Sequence, residues 1–200
     1  PDRALPLSCD VASEDEVEAA FAAAVDRFGR LDALFNNGGV FPAGALIDEI
    51  ALADWQHALD VNLTGMFLSA RAAFRQMRRQ APRGGRIINN GSISAQAPRP
   101  RSIAYTTTKH GVTGLTRTLA LDGRDFDIAC GQIDIGNART ELAASLGQGA
   151  LQPDGTIRPE PMIELEQVVD AVVYMAGLPL SVNVPFMTVM ATGMPLMGRG

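Results

Sequence analysis

The sequence predicts a doubly wound α/β fold, in which helices cover both faces of a parallel sheet. Short apolar runs of strand length alternate along the chain with longer segments whose apolar residues recur at helical spacing. Polar or glycine-rich turns follow several of these apolar runs, as at Asn36–Gly39 and Gly91–Ser94. The 200 residues contain no internal repeat and no linker, so we expect a single domain over residues 1–200.

The first predicted elements are a strand, a helix and a second strand. An apolar run over residues 5–9 predicts the first strand. Ser13, with Glu16 three residues later, predicts the start of a helix through a capping box, and Gly29 predicts its end. Residues 31–35 predict the second strand. This order is typical of a βαβ unit, whose strands are parallel.

The same alternation continues to the end of the chain. Apolar residues at helical spacing predict helices over residues 52–77, 102–121 and 166–178. Apolar runs predict strands over residues 86–90, 128–135 and 186–191. Residues 141–165 contain six glycines and prolines and predict a mobile loop with a short helix inside it.

Composition excludes several classes of function. The net charge is −5 and no cluster of Lys and Arg accompanies aromatic residues, which argues against a nucleic-acid partner. No apolar stretch approaches the length of about 20 residues that a membrane-spanning helix needs, and no apolar leader follows Pro1. Cys9 and Cys130 are two lone thiols, typical of a reduced, cytoplasmic protein. His57 and His110 lack metal-ligand spacing, so we expect no metal.

Tyr105 and Lys109 form the most informative pair of residues in the chain. They lie four residues apart in a predicted helix, so both side chains can project from one helix face. Lys109 is the single lysine among 17 basic residues, which indicates a site that needs a compact charge on a flexible stem. A nearby cation favours the phenolate of tyrosine, whose pKa is ordinarily about 10, and makes the phenol usable in proton transfer. The alternative is an ordinary surface lysine beside a partly buried tyrosine.

Ser92 follows the predicted strand at 86–90 and precedes Tyr105 by thirteen residues. The carboxyl ends of parallel strands meet at one edge of a doubly wound sheet, where ligands bind. Asn36–Gly39, Ser92 and Gly136 each follow a predicted strand, so we expect them to gather at that edge. The alternative for Ser92 is an ordinary turn residue, because Gly-Ser pairs are common in loops.

Ser92, Tyr105 and Lys109 match the Ser and Tyr-x-x-x-Lys set of the short-chain dehydrogenase/reductase family, which the chain resembles over nearly its whole length. Asn62, in a Val-Asn-Leu triplet, resembles the family's catalytic Asn. The resemblance implies that Tyr105 passes a proton to or from the substrate oxygen and that Ser92 hydrogen-bonds the same oxygen. It also implies that Lys109 lowers the Tyr105 pKa and holds the nicotinamide ribose, while Asn62 holds a water that relays protons.

Three other segments resemble parts of the family's cofactor site. Asp10-Val11 resembles the pair that touches adenine, and Asn36–Gly39 resembles N-N-A-G with Gly38 in place of Ala. Gly136–Thr140 resembles P-G-x-x-x-T with Ile135 in place of Pro. The cofactor-binding residues that the resemblance implies are Asp10, Val11, Asn36, Gly38, Gly39, Tyr105, Lys109, Gly136 and Thr140.

The resemblance also implies a Rossmann-like fold, an NAD or NADP cofactor and a small-molecule alcohol or carbonyl substrate. It leaves the choice between NAD and NADP open. The helices predicted at 63–80 and 102–121 carry apolar residues on more than one face, among them Met66, Phe67, Phe74, Val112 and Leu115. The family commonly pairs these two helices between subunits, so we expect a homodimer or homotetramer.

The family's glycine-rich phosphate-binding turn, T-G-x-x-x-G-x-G, does not occur in these 200 residues. We therefore expect a fold that is incomplete at its N-terminal side, lacking the first strand–helix–strand unit, and no useful binding of NAD(H) or NADP(H) by these residues alone. Residues 3–9 would then lack a neighbouring strand, and the strand at 31–36 would be a sheet edge. A second class of function stays open: a non-catalytic relative, or a truncated fragment, that acts as an oligomeric or binding module without a cofactor.

Two arginines precede Tyr105 and allow two interpretations. Arg99 and Arg101 could face an anionic substrate. The alternative, which the sequence favours, is that both lie in a solvated loop.

Overall fold

The computed structural model describes residues 3–140 and 149–196, and within them a four-stranded parallel sheet has the order β1-β2-β3-β6. The strands are β1 (Ala33–Asn36), β2 (Gly85–Asn90), β3 (Ile128–Ile135), β4 (Ala150–Leu151), β5 (Ile157–Arg158) and β6 (Phe186–Val189). The helices are α1 (Glu14–Phe28), α2 (Leu52–Leu59), α3 (Gly65–Arg79), α4 (Ile103–Asp122) and α5 (Leu165–Gly177). The predicted parallel α/β architecture is thus confirmed.

Helices cover both faces of the sheet. Consecutive side chains of β2 point to opposite faces, and each face packs against a different helix. Ile87 packs with Met77 of α3 and Cys130 of β3, and all three are fully buried. Its neighbour Ile88 packs on the other face with Met175 of α5. In the register of the sheet Asn36 lies beside Asn89, and Asn89 lies beside Gln132, so the carboxyl ends of β1, β2 and β3 lie along one edge.

The predicted strand over residues 5–9 is wrong. The structure describes this segment without regular secondary structure. A strand is stabilised by hydrogen bonds to a neighbouring strand, and β1 pairs only with β2 within the described sheet. Because β1 is an edge strand, the expectation that the strand at 31–36 forms a sheet edge is confirmed.

Helix α1 begins as the sequence predicts but with a different partner for Glu16. The Ser13 hydroxyl accepts a hydrogen bond from the backbone N–H of Glu16, and Gly29 ends the helix with φ of +82°. The Glu16 carboxylate accepts from the backbone N–H of Asp10 at 2.8 Å rather than from that of Ser13. This bond fixes the segment that leads to Val11.

The helix predicted over residues 52–77 is interrupted. A π-helical turn at Asp60–Thr64 separates α2 from α3. Within this turn the Asn62 side chain bonds the backbone of Val40, and such turns occur frequently at functional sites. Gly65 follows the turn, and a Cβ on it would lie 2.9 Å from Val11, so only glycine fits there without a shift.

The sequence predicts a mobile loop with a short helix over residues 141–165, and the structure tests this only in part. The described part of this segment, from residue 149 onward, contains the antiparallel pair β4 and β5 and no helix before α5. Residues 141–148 lie outside the described residues. In the described parts of the chain, none of the helices combines the length and the apolar character needed to cross a membrane.

Candidate active site

A cavity of about 480 Å³ opens at the edge of the sheet where β1, β2 and β3 end. Ser92, Tyr105 and Lys109 all contribute to its wall. Helix α5 supplies an apolar side, formed by Leu165, Val168, Val169, Val172 and Val173. Asn37, Gly39, Ser92 and Gly136, which follow strands and were expected to gather at one edge, contribute to the same wall.

Two hydrogen bonds hold Ser92 in place at the cavity wall. Its backbone N–H donates to Asp134 Oδ1 at 3.0 Å, and its Oγ accepts from the backbone N–H of Ser94 at 3.1 Å. Oγ is therefore an acceptor for one neighbour, and its own proton is left to donate to an oxygen in the cavity.

Tyr105 lies in the first turn of α4, and its ring packs 4.6 Å from the ring of Phe41. Burial raises the pKa of the Tyr105 phenol, whereas the Ser92 hydroxyl as a hydrogen-bonding neighbour and the charge of Arg99 lower it. The negative charge of Asp134 raises this pKa as well. That Lys109 lowers it remains a prediction of the sequence. The net shift is upward, so the phenol is protonated at neutral pH and is a proton donor.

Lys109 is buried at the cavity wall, with 3% of its surface exposed. Its Nζ donates to the backbone oxygen of Asn90 at 2.8 Å and lies 5.5 Å from the centre of the Tyr105 ring. Burial lowers the pKa of Lys109 to about 8, although the negative charge of Asp134 acts in the opposite direction. The surface-lysine alternative is therefore wrong.

Asp134, near the end of β3, is a site residue that the sequence interpretation missed. It is 2% exposed, and its carboxylate accepts from Ser92 N–H, from Gln132 Nε2 at 2.6 Å and from Gln96 Nε2 at 3.0 Å. The signal that could have found it is an acidic residue between two isoleucines at the end of a buried strand. Asp134 thus places a fixed negative charge behind Ser92.

Asn62 is fully buried and does not contribute to the cavity wall. Its Oδ1 accepts from the backbone N–H of Val40 at 2.7 Å, and its Nδ2 donates to the backbone oxygen of Val40 at 2.9 Å. A further hydrogen bond of 3.4 Å joins Nδ2 to Thr108 Oγ1. Asn62 therefore joins the loop after β1 to α4, three residues beyond Tyr105.

The residues expected at the adenine side of the cofactor differ in their burial and in whether they contribute to the cavity wall. Asp10 is exposed, and its Oδ1 accepts from the backbone N–H of Ala12. Val11 lies against Gly38, where an added Cβ would be 3.4 Å from Val11 Cγ1. Asn36 is buried, and its Nδ2 donates to Met66 O and Asn89 Oδ1. It does not contribute to the cavity wall, whereas Asn37 and Gly39 do.

Gly136 and Thr140, expected at the nicotinamide end, both contribute to the cavity wall. The backbone N–H of Gly136 donates to Val189 O at 2.9 Å, and a Cβ at this position would lie 2.7 Å from Met190 Cβ. Glycine is therefore required at 136 by the close approach of the segment after β6.

Arg99 does not lie in a solvated loop, so the interpretation that the sequence favoured is wrong for this residue. Its side chain is 10% exposed and its Nη2 donates to Asn137 Oδ1 at 2.8 Å and to Glu160 Oε2 at 2.6 Å. Arg101 is exposed, and it contributes to the wall of a second cavity of about 350 Å³, which Tyr105 also lines.

The pKa of Lys109 can be measured directly, because the chain contains one lysine and selective ¹³C labelling gives one side-chain signal. We expect the NMR titration of this signal to have its midpoint at about 8. In the Asp134→Asn variant the midpoint should fall further, because the neighbouring anion that favours the ammonium form is removed. A midpoint at the ordinary lysine value of 10.5 would contradict the burial of Lys109.

Gly91, between β2 and Ser92, has no space for a side chain. A Cβ at this position would overlap Asp134 Oδ1 and lie 2.6 Å from Gln132 Nε2. We expect Gly91→Ala to lower the free energy of unfolding by about 1–3 kcal/mol, as measured by urea denaturation. The control is Gly114→Ala in α4, where nothing lies within 4 Å of the added Cβ. There the gain in helix propensity should raise stability by up to about 1 kcal/mol.

Comparison with known proteins places the chain in a family. The family model described as short chain dehydrogenase matches residues 1–150. Glucose 1-dehydrogenase 2 of Bacillus subtilis is 37% identical over 139 residues, which are 70% of this chain and 54% of that protein. Trans-4-hydroxycyclohexanecarboxylate dehydrogenase of Sinomonas cyclohexanicum is 34% identical over 176 residues, which are 88% of this chain and 65% of that protein.

A solved structure agrees with the fold. The 3-ketoacyl-(acyl-carrier-protein) reductase of Brucella melitensis, solved as a complex with NADH, superimposes with a TM-score of 0.83 at 22% identity. The match covers 94% of this chain and 78% of that structure. The chain belongs to the short-chain dehydrogenase family. It spans between half and two thirds of the length of the two relatives named above.

Proposed function

We propose that the protein is an NAD- or NADP-dependent oxidoreductase that transfers a hydride between the nicotinamide cofactor and an alcohol or carbonyl substrate. The observation that carries the proposal is the convergence of Ser92, Tyr105 and Lys109 on one cavity at the carboxyl edge of the sheet. Family membership and the dehydrogenase names of the relatives support it. So does the NADH bound to the Brucella reductase of the same fold.

The polar groups of the cavity fit the ribose of a nicotinamide nucleotide. Lys109 Nζ is a donor, and Asn90 Oδ1 is a buried acceptor with no donor among the described residues. A ribose presents vicinal hydroxyls, each of which both donates and accepts, so it satisfies both groups at once. When bound, the nicotinamide ring would supply or accept the hydride.

The remaining cofactor contacts follow the family pattern and belong to the same proposal. The residues that would hold the cofactor are Asp10, Val11, Asn36, Gly38, Gly39, Tyr105, Lys109, Gly136 and Thr140. Among them Gly39, Gly136 and Thr140 contribute to the cavity wall beside Tyr105 and Lys109, which supports their place near the nicotinamide end.

In this proposal Tyr105 is the acid or base. Its raised pKa keeps the phenol protonated, so in the reductive direction it can donate its proton to the substrate oxygen. Ser92 donates a hydrogen bond to the same oxygen and stabilises the negative charge that develops on it. Lys109 places a positive charge beside the phenol, and this charge favours the phenolate that remains after proton donation.

Asn62 acts in the proposal by holding the loop of Val40 against α4. Its side chain bonds both backbone groups of Val40, and Phe41, the next residue, packs on the Tyr105 ring. The proposal includes the family role of Asn62 in holding a water that relays protons from Lys109. Asn62 Nδ2 donates to Oγ1 of Thr108, the residue before Lys109, and this contact supports the role.

The experiment that tests the proposed function is a spectroscopic assay of nicotinamide reduction with NAD⁺ and NADP⁺ in parallel. Glucose and 4-hydroxycyclohexanecarboxylate, taken from the names of the two relatives, and cyclohexanol form the panel of alcohols. We expect reduction of one cofactor with at least one alcohol. Binding of the cofactor without reduction by any alcohol would instead support a non-catalytic binding module.

We also propose a homodimer or homotetramer in the cytoplasm. Of the apolar residues expected at a subunit contact, Met66 and Val112 are buried within the chain, whereas 46% of Phe67 is exposed on α3. Phe67 is therefore the residue of this set that supports a contact. The two unpaired cysteines, Cys9 and Cys130, support a reducing compartment. A monomer in light scattering at micromolar concentration would contradict the assembly.

A further inference from the structure

The charged residues that line the catalytic cavity are both cations. In the described residues Lys109 and Arg99 contribute to its wall, and no aspartate or glutamate does. Their anionic neighbours, Asp134 and Glu160, do not contribute to the wall. An anion inside the cavity would therefore contact the two cations and neither carboxylate.

Arg99 is fixed in place by a buried network. Its Nη2 donates to Glu160 Oε2 and Asn137 Oδ1, while Asn137 Nδ2 donates to Glu160 Oε2 at 2.9 Å. Gln152 Nε2 donates to the other oxygen, Glu160 Oε1, at 3.0 Å. These bonds lower the pKa of Glu160 and keep it ionised, although burial acts in the opposite direction. The guanidinium therefore cannot turn away without breaking this network.

The other terminal nitrogen of the Arg99 guanidinium, Nη1, makes no hydrogen bond to the described residues. Arg99 Nη1 is buried and has no hydrogen-bond acceptor among residues 3–140 and 149–196. An unpaired buried donor of a charged group is unfavourable, so a binding site gains affinity when a ligand supplies the acceptor. Hydrogen bonds from a guanidinium to a carboxylate are stronger than those to a neutral oxygen.

We propose that Arg99 Nη1 binds a carboxylate of the substrate, so that the substrates are hydroxy acids or oxo acids rather than neutral alcohols. This assignment rests on the proposed function, because it uses the same cavity as the reacting oxygen at Ser92 and Tyr105. The carboxylate lies at the Arg99 side of the cavity while the reacting oxygen lies at Tyr105, which places the two groups at separate ends of one substrate. The apolar side formed by α5 contacts the carbon skeleton between them.

The proposal can be tested by calorimetry without turnover. The probes are cyclohexanecarboxylate and its neutral amide, titrated into the protein in the presence and absence of NADH. We expect the carboxylate to bind about 10- to 100-fold more tightly than the amide, the range given by one hydrogen bond to a charged partner. In Arg99→Lys, whose single nitrogen is occupied by Glu160, this preference should fall to less than threefold.

Two further variants separate binding from folding. Arg99→Gln with Glu160→Gln removes both charges of the buried pair together and should also lose the preference, even if Arg99→Gln alone unfolds. Arg83→Gln, which removes an exposed arginine paired with Asp127 at the opposite edge of the sheet, should keep it. The same titrations measure the affinity for NADH, whose phosphates are the other anionic groups that could bind Arg99.

Two outcomes would overturn the proposal. The first is equal affinity for carboxylate and amide in the unsubstituted protein. The second is a loss of NADH affinity in Arg99→Lys with the carboxylate preference retained, which would assign Nη1 to the cofactor. Neither outcome depends on hydride transfer, so failure of this assignment is distinguishable from failure of the proposed function.

Discussion

Tyr105→Phe is expected to lower kcat by about 10²–10⁴-fold, the usual contribution of a positioned acid or base. The substitution removes one oxygen atom and leaves the ring, which can still pack 4.6 Å from Phe41. The affinity for NADH should change little, because the other proposed cofactor contacts, Lys109 among them, remain. Steady-state kinetics and fluorescence titration with NADH measure the two effects separately.

The chain offers a matched control for this substitution. Its other tyrosine, Tyr174, lies on α5 with 57% of its surface exposed. Tyr174→Phe removes the same oxygen atom and should leave kcat within twofold of the original value. If Tyr105→Phe weakened NADH binding while turnover of the bound complex stayed intact, Tyr105 would be a binding residue and not the acid or base.

Lys109→Met is expected to reduce both the rate and the affinity for the cofactor. The substitution keeps an unbranched apolar stem in a buried position and removes the ammonium beside Tyr105. The loss of hydrogen bonds from a charged donor corresponds to about 10- to 100-fold in cofactor affinity. The rate of reduction at saturating cofactor should fall as well, because the phenolate is no longer stabilised by a cation.

The pH profile gives an independent readout of the same residue. Because burial lowers the pKa of Lys109 to about 8, the ammonium is present below this pH and is lost as the pH rises through it. The rate of carbonyl reduction should therefore decline above pH 8 in the unsubstituted protein, and Lys109→Arg, which stays charged, should remove that decline. A pH profile of Lys109→Met that matched the original, decline included, would contradict the role of the ammonium.

The sequence was sufficient to predict the order of most helices and strands and the grouping of Ser92, Tyr105 and Lys109 in the site. Strand β3 has the predicted bounds, and α4 begins one residue after the predicted start. Long segments with a clear period were predictable because packing of their apolar residues determines their structure. The spacing of Ser92, Tyr105 and Lys109 was informative because the fold converts it into proximity at one sheet edge.

The remaining features depend on contacts that a sequence pattern does not contain. Residues 5–9 have the composition of a strand but lack a neighbouring strand in the described sheet. The π-helical turn at Asn62 depends on bonds to Val40, twenty-two residues earlier in the chain. The burial of Arg99 depends on Glu160, sixty-one residues away in a segment with no readable period. Long-range polar pairs of this kind were not predictable from local spacing.

The most direct test of the proposed function follows the hydride itself. The alcohols of the panel, deuterated at the carbon that carries the hydroxyl, are incubated with the protein and NAD⁺ or NADP⁺, and the recovered cofactor is analysed by NMR. The proposed function predicts deuterium at C4 of the nicotinamide ring with the unsubstituted protein and labelling at least about 100-fold slower with Tyr105→Phe. Cofactor that binds to the protein but carries no deuterium with any alcohol, or equal labelling by the two proteins, would contradict it.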